Sequence, residues 1–255
     1  MRSLGSLPAG ILTPTLFGFL MVLFRTGALC SAAPIFGARP IPARLRIIVA
    51  VMLAYAGFAG AGFPVFTGGT AAVVAGAAVE TLIGLSAGLS SRFALDGASA
   101  AGQLIAQGMG LSFGASLDPL HGVESTSVGE ILSMIATGAA LAAGLHRDLV
   151  AWLCRSLITV PPGGALEVST LASAVVTHAL SSVALAVRMA FPVMAAVTFG
   201  HVALGVIGRT APQLNISSVG FSITILAGGT ALYMVAPAIA EMAANAAREA
   251  LARGL

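Results

Sequence analysis

The sequence contains no lysine. All 12 of its basic residues are arginine, set against 9 acidic ones. Charged residues make up only 8% of the 255, where a soluble domain carries about 25%. That shortage excludes a water-soluble globule, because too few charges exist to clothe a core of this size. It also excludes a P-loop nucleotide site, which needs a lysine to reach the phosphates. The arginines are scattered, without a basic run interleaved with aromatics. The net charge of +3 therefore does not point to nucleic acid.

Cysteine is equally scarce. Cys30 and Cys154 stand far apart in apolar surroundings and make no CxxC, zinc pattern or disulfide framework. They read as small buried hydrophobes. Catalytic constellations are missing as well. No GxSxG stands in a strand-turn-helix setting, and His121, His146, His178 and His201 form no HExxH. Asp96 and Asp118 do not make a GxGD-type intramembrane site. No enzymatic activity, cofactor or metal is expected.

What is present is apolar. Hydrophobic residues reach 58% and the mean hydropathy is +1.00. An all-α integral membrane protein follows, with room for about five to seven segments of roughly 20 residues. The first runs from Leu12 to Ala33 and carries Arg25. Arg2 before an apolar stretch resembles a signal peptide, but Arg25 interrupts that stretch and Pro34 follows the candidate cleavage site. An uncleaved first membrane segment is expected. The turn Pro34 to Arg46 holds three prolines and three arginines, which favours the cytoplasmic side.

Segment two is Ile47 to Phe63. Segment three is Thr70 to Leu89, with Glu80 near its centre. From Ser90 to Ser116 the character changes, with Arg92, Asp96, Gln103 and Gln107 among small residues. Gln103 and Gln107 are four apart and share a helix face. This reads as a helix packed on protein and polar on one side, and not as a lipid-facing span. Further runs are Thr126 to Leu145, Leu149 to Val160, and Ser169 to Phe191, which Pro192 should kink or end. Val193 to Gly208 and Phe221 to Ala240 flank a polar insert, Arg209 to Gly220. Residues 1–255 read as one domain: a hydrophobic helical body over 1–240 and a short polar C-terminal tail over 241–255, expected as an exposed helix.

Charges inside apolar runs are expensive unless paired or wet. Glu80, Glu130, Arg25, His178, Arg188 and His201 are such residues. They could line a proton path, or form internal pairs and contacts to partner subunits. No repeated acidic positions make a relay, and Arg25 and Glu80 suit buried polar packing. The GxxxG pairs Gly84/Gly88 and Gly110/Gly114 are too few among 31 glycines to signal dimerisation.

Several stretches form an ordered set. The first is Phe24-Arg25-Thr26-Gly27-Ala28 leading to Ala33-Pro34-Ile35-Phe36-Gly37, and Ile41 to Arg46. Glu80 to Leu85, Gly102-Gln103 and Met109 to Phe113 follow. The last are Asp118-Pro119 before Glu124-Ser125-Thr126, and Arg209-Thr210-Ala211-Pro212-Gln213-Leu214-Asn215 with Val219-Gly220-Phe221. Together they resemble the FliR family of flagellar export proteins, whose injectisome counterparts are the SctT proteins. The chain departs from the family pattern at Ser222-Ile223-Thr224 and at His201.

The resemblance implies a membrane subunit of the type III export gate in the bacterial inner membrane and the flagellar basal body. FliP-like and FliQ-like chains would form the channel with it, with an FlhB-like subunit beside them, and unfolded flagellar subunits would pass through. An injectisome role or a solitary small-molecule or ion transporter are the alternatives. Candidate assembly or pore residues are Arg25, Glu80, Gln103, Gln107, Met109, Phe113, Arg209, Pro212, Gln213 and Asn215. Met109 to Phe113 is the candidate for a gasket-like constriction, with plain core packing as its rival.

Overall fold

A computed structural model describes residues 9–37, 41–67, 70–111, 127–164, 168–210 and 216–253. The described residues are helical with short connecting turns and no strand. The helices are α1 (Ala9–Ala32), α2 (Ala43–Gly60), α3 (Thr70–Gly108), α4 (Ser127–Ala142), α5 (Leu145–Thr159), α6 (Val168–Thr210) and α7 (Ile216–Arg253). Five are long and apolar enough to cross a membrane, and α4 with α5, separated by a short break, makes a sixth candidate. The all-α membrane architecture read from composition is what the chain adopts.

Contacts divide the chain into two compact units. The first holds residues up to Arg92, Gly144–His178 and Ala247–Leu255; the second holds Phe93–Ala143 and Ala179–Ala246. In the first unit α1 packs on α2, and α2 touches α5. Phe58 of α2 meets Phe19 and Phe63 edge-to-face, with ring centroids 5.5 and 5.3 Å apart. This geometry sets the positive rim of one ring against the negative face of the other. Gly62 ends α2 with a left-handed φ of 78°, which lets the Phe63 amide turn back to the Phe58 carbonyl at 3.0 Å. The Phe66 amide then donates to the Pro14 carbonyl at 3.1 Å, tying the chain after α2 to the start of α1.

α5 shows how pattern makes an element. Leu145, Leu149, Trp152, Leu153, Ser156 and Leu157 are buried, recurring at three- and four-residue steps along one face. Cys154, Arg155 and Ile158 stand exposed on the other side. Cys154 therefore departs from the buried setting expected for it, because its step along the helix puts it outside the apolar stripe, whereas Cys30 is buried. Gly144 separates α4 from α5 with φ 92°, a conformation that costs glycine little.

Four boundaries differ from those read in the sequence. The change of character at Ser90 is not a break: α3 runs unbroken over 39 residues. Ser90 Oγ donates to the Ser86 carbonyl at 2.7 Å and Ser91 Oγ to the Gly88 carbonyl at 2.9 Å. These polar side chains are thus satisfied inside the helix. α6 continues through Pro192 to Thr210; losing one amide does not outweigh the bonds on either side. The polar insert is narrower than Arg209 to Gly220. Arg209 and Thr210 close α6, and α7 begins at Ile216. The first-turn amides of a helix lack intrahelical partners in any case, so polar residues suit that end. Finally, residues beyond 240 are no separate exposed helix. They extend α7 to Arg253, with Ala243, Ala244, Ala247, Ala250 and Leu251 buried. Small alanines there permit close packing that a charge count does not foresee.

Candidate functional site

On α1, Met21, Val22, Arg25, Ala28, Leu29 and Ala32 are buried. Their helical spacing places Arg25 on the core face. On α3, Glu80, Ile83, Ala87 and Ser91 are likewise buried. Gly84 and Gly88 let the two helices approach. A Cβ on Gly84 would fall on the Arg25 carbonyl, and one on Gly88 would lie 2.6 Å from the Ala32 Cβ. The GxxxG spacing here serves contact within the chain.

That approach brings the two charges together. Arg25 Nε donates to Glu80 Oε2 at 2.5 Å, with both side chains fully buried. Arg25 Nη1 donates to the Ser156 carbonyl at 2.8 Å and to Ser156 Oγ at 3.2 Å. Arg25 Nη2 donates to the Val160 carbonyl at 2.9 Å. The far oxygen of the carboxylate, Glu80 Oε1, accepts from the Gly163 amide at 2.9 Å. Ser156 and Val160 lie at the end of α5, where carbonyls carry partial negative charge; the Ser156 carbonyl also accepts from the Val160 amide at 3.0 Å. The guanidinium caps that end. The carboxylate holds the following turn, where Gly163 has φ 81° and the Gly164 amide reaches the Pro161 carbonyl at 2.9 Å. One ion pair thus joins α1, α3, the end of α5 and the turn after it.

Such a pair is a clamp rather than a source of net stability. Desolvating two charges offsets much of their attraction, while removing one partner leaves the other stranded. Of the five bonds named, three involve backbone groups of α5 and the turn after it. Ser156, Val160 and Gly163 are the members that sequence reasoning missed. Pro161-Pro162-Gly163-Gly164 signals a helix stop, but nothing local shows that a charge 83 residues away seats its amide.

The second unit packs differently. A Cβ on Gly102 would lie 2.6 Å from the Gly129 Cα, so α3 and α4 touch backbone to backbone. Gly108 faces Met194 Sδ, and Gly228 faces Met109 Cγ and Val197 Cγ2, each at 2.9 Å from a Cβ placed there. Met109 is 3% exposed, seated in this chain's own core. It lies in the turn closing α3, where Gly110 has φ 78° and the Leu111 amide returns to the Ala106 carbonyl at 2.9 Å.

Of the candidate residues, Arg25 and Glu80 meet. Gln103 is half-buried and Gln107 exposed on α3, and Arg209 is exposed in the last turn of α6, where a cation suits the helix dipole. Phe113, Pro212, Gln213 and Asn215 lie outside the described residues.

The family model described as "Bacterial export proteins, family 1" matches residues 16–250. The chain belongs to this family. It is 31% identical over 222 residues to a flagellar biosynthetic protein FliR of Escherichia coli K12, covering 86% of this chain and 84% of that one. With FliR of Caulobacter vibrioides the identity is 29% over 238 residues, 91% and 93% of the two chains. With FliR of Bacillus subtilis it is 29% over 210 residues, 81% of each. The family match spans both units, from α1 to the last turns of α7, so clamp and glycine seats alike fall within it.

Proposed function

We propose that this chain is a membrane subunit of the flagellar type III export gate, working only within an assembly. FliP-like and FliQ-like chains would complete with it a channel for unfolded flagellar proteins in the bacterial inner membrane, beside an FlhB-like subunit. The FliR relatives support a flagellar rather than an injectisome setting.

The observation that carries the reading is a mismatch of length. α3, α6 and α7 have 39, 43 and 38 residues, or about 57–65 Å at about 1.5 Å per residue. The hydrocarbon of a bilayer is about 30 Å thick. Tilts of about 20° are usual and about 40° extreme, which cannot absorb a twofold excess. Yet Val168, Val176, Leu180, Phe191, Phe199 and Ile207 are all exposed along α6, a stretch too long for the hydrocarbon at any of these tilts. Whatever part lies in lipid, an apolar part lies outside it and needs protein cover. A solitary transporter would leave that surface in water.

The test is co-expression with FliP-like and FliQ-like chains, followed by affinity capture and native mass measurement. A defined complex containing all three is expected. A stable monomer that takes up neither partner would sink the reading.

A further inference from the structure

Arg188 stands at the midpoint of α6, exposed, with no hydrogen-bond or ion-pair partner among the described residues. Its face of the helix is read off by helical steps. Ser181 and Ala184 lie two turns and one turn before it; Phe191 and Pro192 lie one turn after. Phe199, Val202 and Val206 continue the line. All of these are exposed, Phe191 by 70% and Phe199 by 76%. Pro192 adds a second polar demand. It has no amide to donate to the carbonyl four residues earlier, which is that of Arg188. A bare cation and a carbonyl without its helix donor therefore share one turn of an otherwise apolar face.

We infer that this face of α6 seats a helix of another export-gate subunit that presents a carboxylate to Arg188. Two placements of α6 lead to the same occupant. With Arg188 at hydrocarbon depth, the guanidinium needs an acidic partner there. With Arg188 at the headgroup level instead, one exposed half, either Leu180, Val183 and Val187 or Phe191, Phe199 and Val202, would stand beyond the hydrocarbon and need a protein surface that passes Arg188. Lipid phosphate answers the charge in the second placement but leaves those side chains uncovered. Ser181 and Ala184 are small, which lets a neighbouring helix come close beside the cation.

This inference rests on the export-gate reading, and its test separates the two. The full chain carrying Arg188→Leu, Arg188→Glu or Arg188→Lys is co-expressed with the other gate subunits. The membrane-inserted amount and the detergent elution of the chain alone control for folding. Complex yield is expected to fall about tenfold or more for Arg188→Leu, further for Arg188→Glu, and little for Arg188→Lys. Suppressors of Arg188→Glu in a motility selection should include an acidic-to-basic change in a partner subunit. Unchanged yield with Arg188→Leu overturns the inference, as do suppressors confined to this chain. Loss of bound anionic phospholipid at unchanged complex yield also overturns it, assigning the cation to lipid. If the wild-type chain forms no complex at all, the export-gate reading itself has failed. Should Arg188→Leu reduce the inserted amount, the yield of Arg188→Lys against Arg188→Gln decides, with retention of the first alone expected and equal yields counting against the seat.

Discussion

Among the described residues, the buried polar side chains of the first unit are Arg25, Thr26, Glu80, Ser90, Ser91 and Ser156, whereas the second unit has Thr224. Thr224 Oγ1 merely returns to the Gly220 carbonyl of its own helix at 2.8 Å. The first unit holds its helices by charge at fixed points. The second holds them by missing side chains, with Gly102 on Gly129, Gly108 on Met194 and Gly228 on Met109. A membrane protein gains little from moving apolar groups out of lipid, so close packing and internal hydrogen bonds do the work instead. Both units use close packing, at Gly84 and Gly88 in the first as at Gly102 and Gly228 in the second, and the first adds a fully buried ion pair to it. Charge specifies one geometry and penalises every other; close packing penalises only added volume. Lost charge partners should therefore damage the first unit most, while added atoms should damage either unit at its glycine contacts.

The largest effect is expected from breaking the clamp. Glu80→Ala leaves Arg25 buried without its counter-charge and should destabilise by about 3–5 kcal/mol, read as lost folded protein in thermal unfolding in detergent. Arg25→Met combined with Glu80→Met should recover much of that loss, since no stranded charge remains. Equal damage from the single and double variants would show that packing, not charge, holds this point.

Added volume in the second unit comes next. Gly102→Ala should cost about 1–3 kcal/mol, because its Cβ meets the Gly129 backbone. Gly228→Ala should cost less, because its Cβ meets side-chain atoms of Met109 and Val197 instead of backbone, and the thioether is the more adaptable of the two. The reverse order in the same unfolding measurement would contradict the backbone-to-backbone account of α3 and α4.

Asp148→Asn tests whether charge matters outside the buried clamp. Arg248 Nε donates to Asp148 Oδ2 at 2.6 Å, but the two side chains are 44% and 35% exposed. Its loss should cost at most about 1 kcal/mol, with little change in midpoint; a loss as large as that of Glu80→Ala would erase the distinction between buried and exposed pairs.

Gly200→Ala is expected to change least. Nothing lies within 4 Å of a Cβ there, and alanine favours helix over glycine by about 1 kcal/mol. The isolated chain should be as stable or slightly more so. A drop in complex yield without a drop in stability would mean that a partner seats at this point of α6, extending the covered surface beyond Arg188.

Much of the clamp was legible, and the reason is physical. Arg25 and Glu80 interrupt apolar runs, and a charge cannot face lipid cheaply, so burial with polar partners follows from their places in the sequence. The pairing itself was not legible, since the partners are 55 and 131 residues apart. Helix limits were misread where composition shifts without a backbone cause. Ser90 and Ser91 look like a boundary but bond back to their own helix. The residues beyond 240 look like a polar tail, but Ala243, Ala247 and Ala250 repeat on one face and are buried. Gly84 and Gly88, uninformative by frequency, prove to be where α1 meets α3.

The sequence by itself determined the class. So few charges and such long apolar runs call for membrane helices, because backbone amides in lipid must bond within their own segment. That constraint is local and can be read residue by residue. Tertiary structure alone decided which arginine is caged and which is left open. Arg25 is neutralised because Gly84 and Gly88 admit α1 to the face of α3 that carries Glu80, and because α5 ends beside it. Arg188, with equally apolar neighbours in sequence, meets no such partner among the described residues. Pairing depends on which helices pack together, and sequence spacing does not encode that.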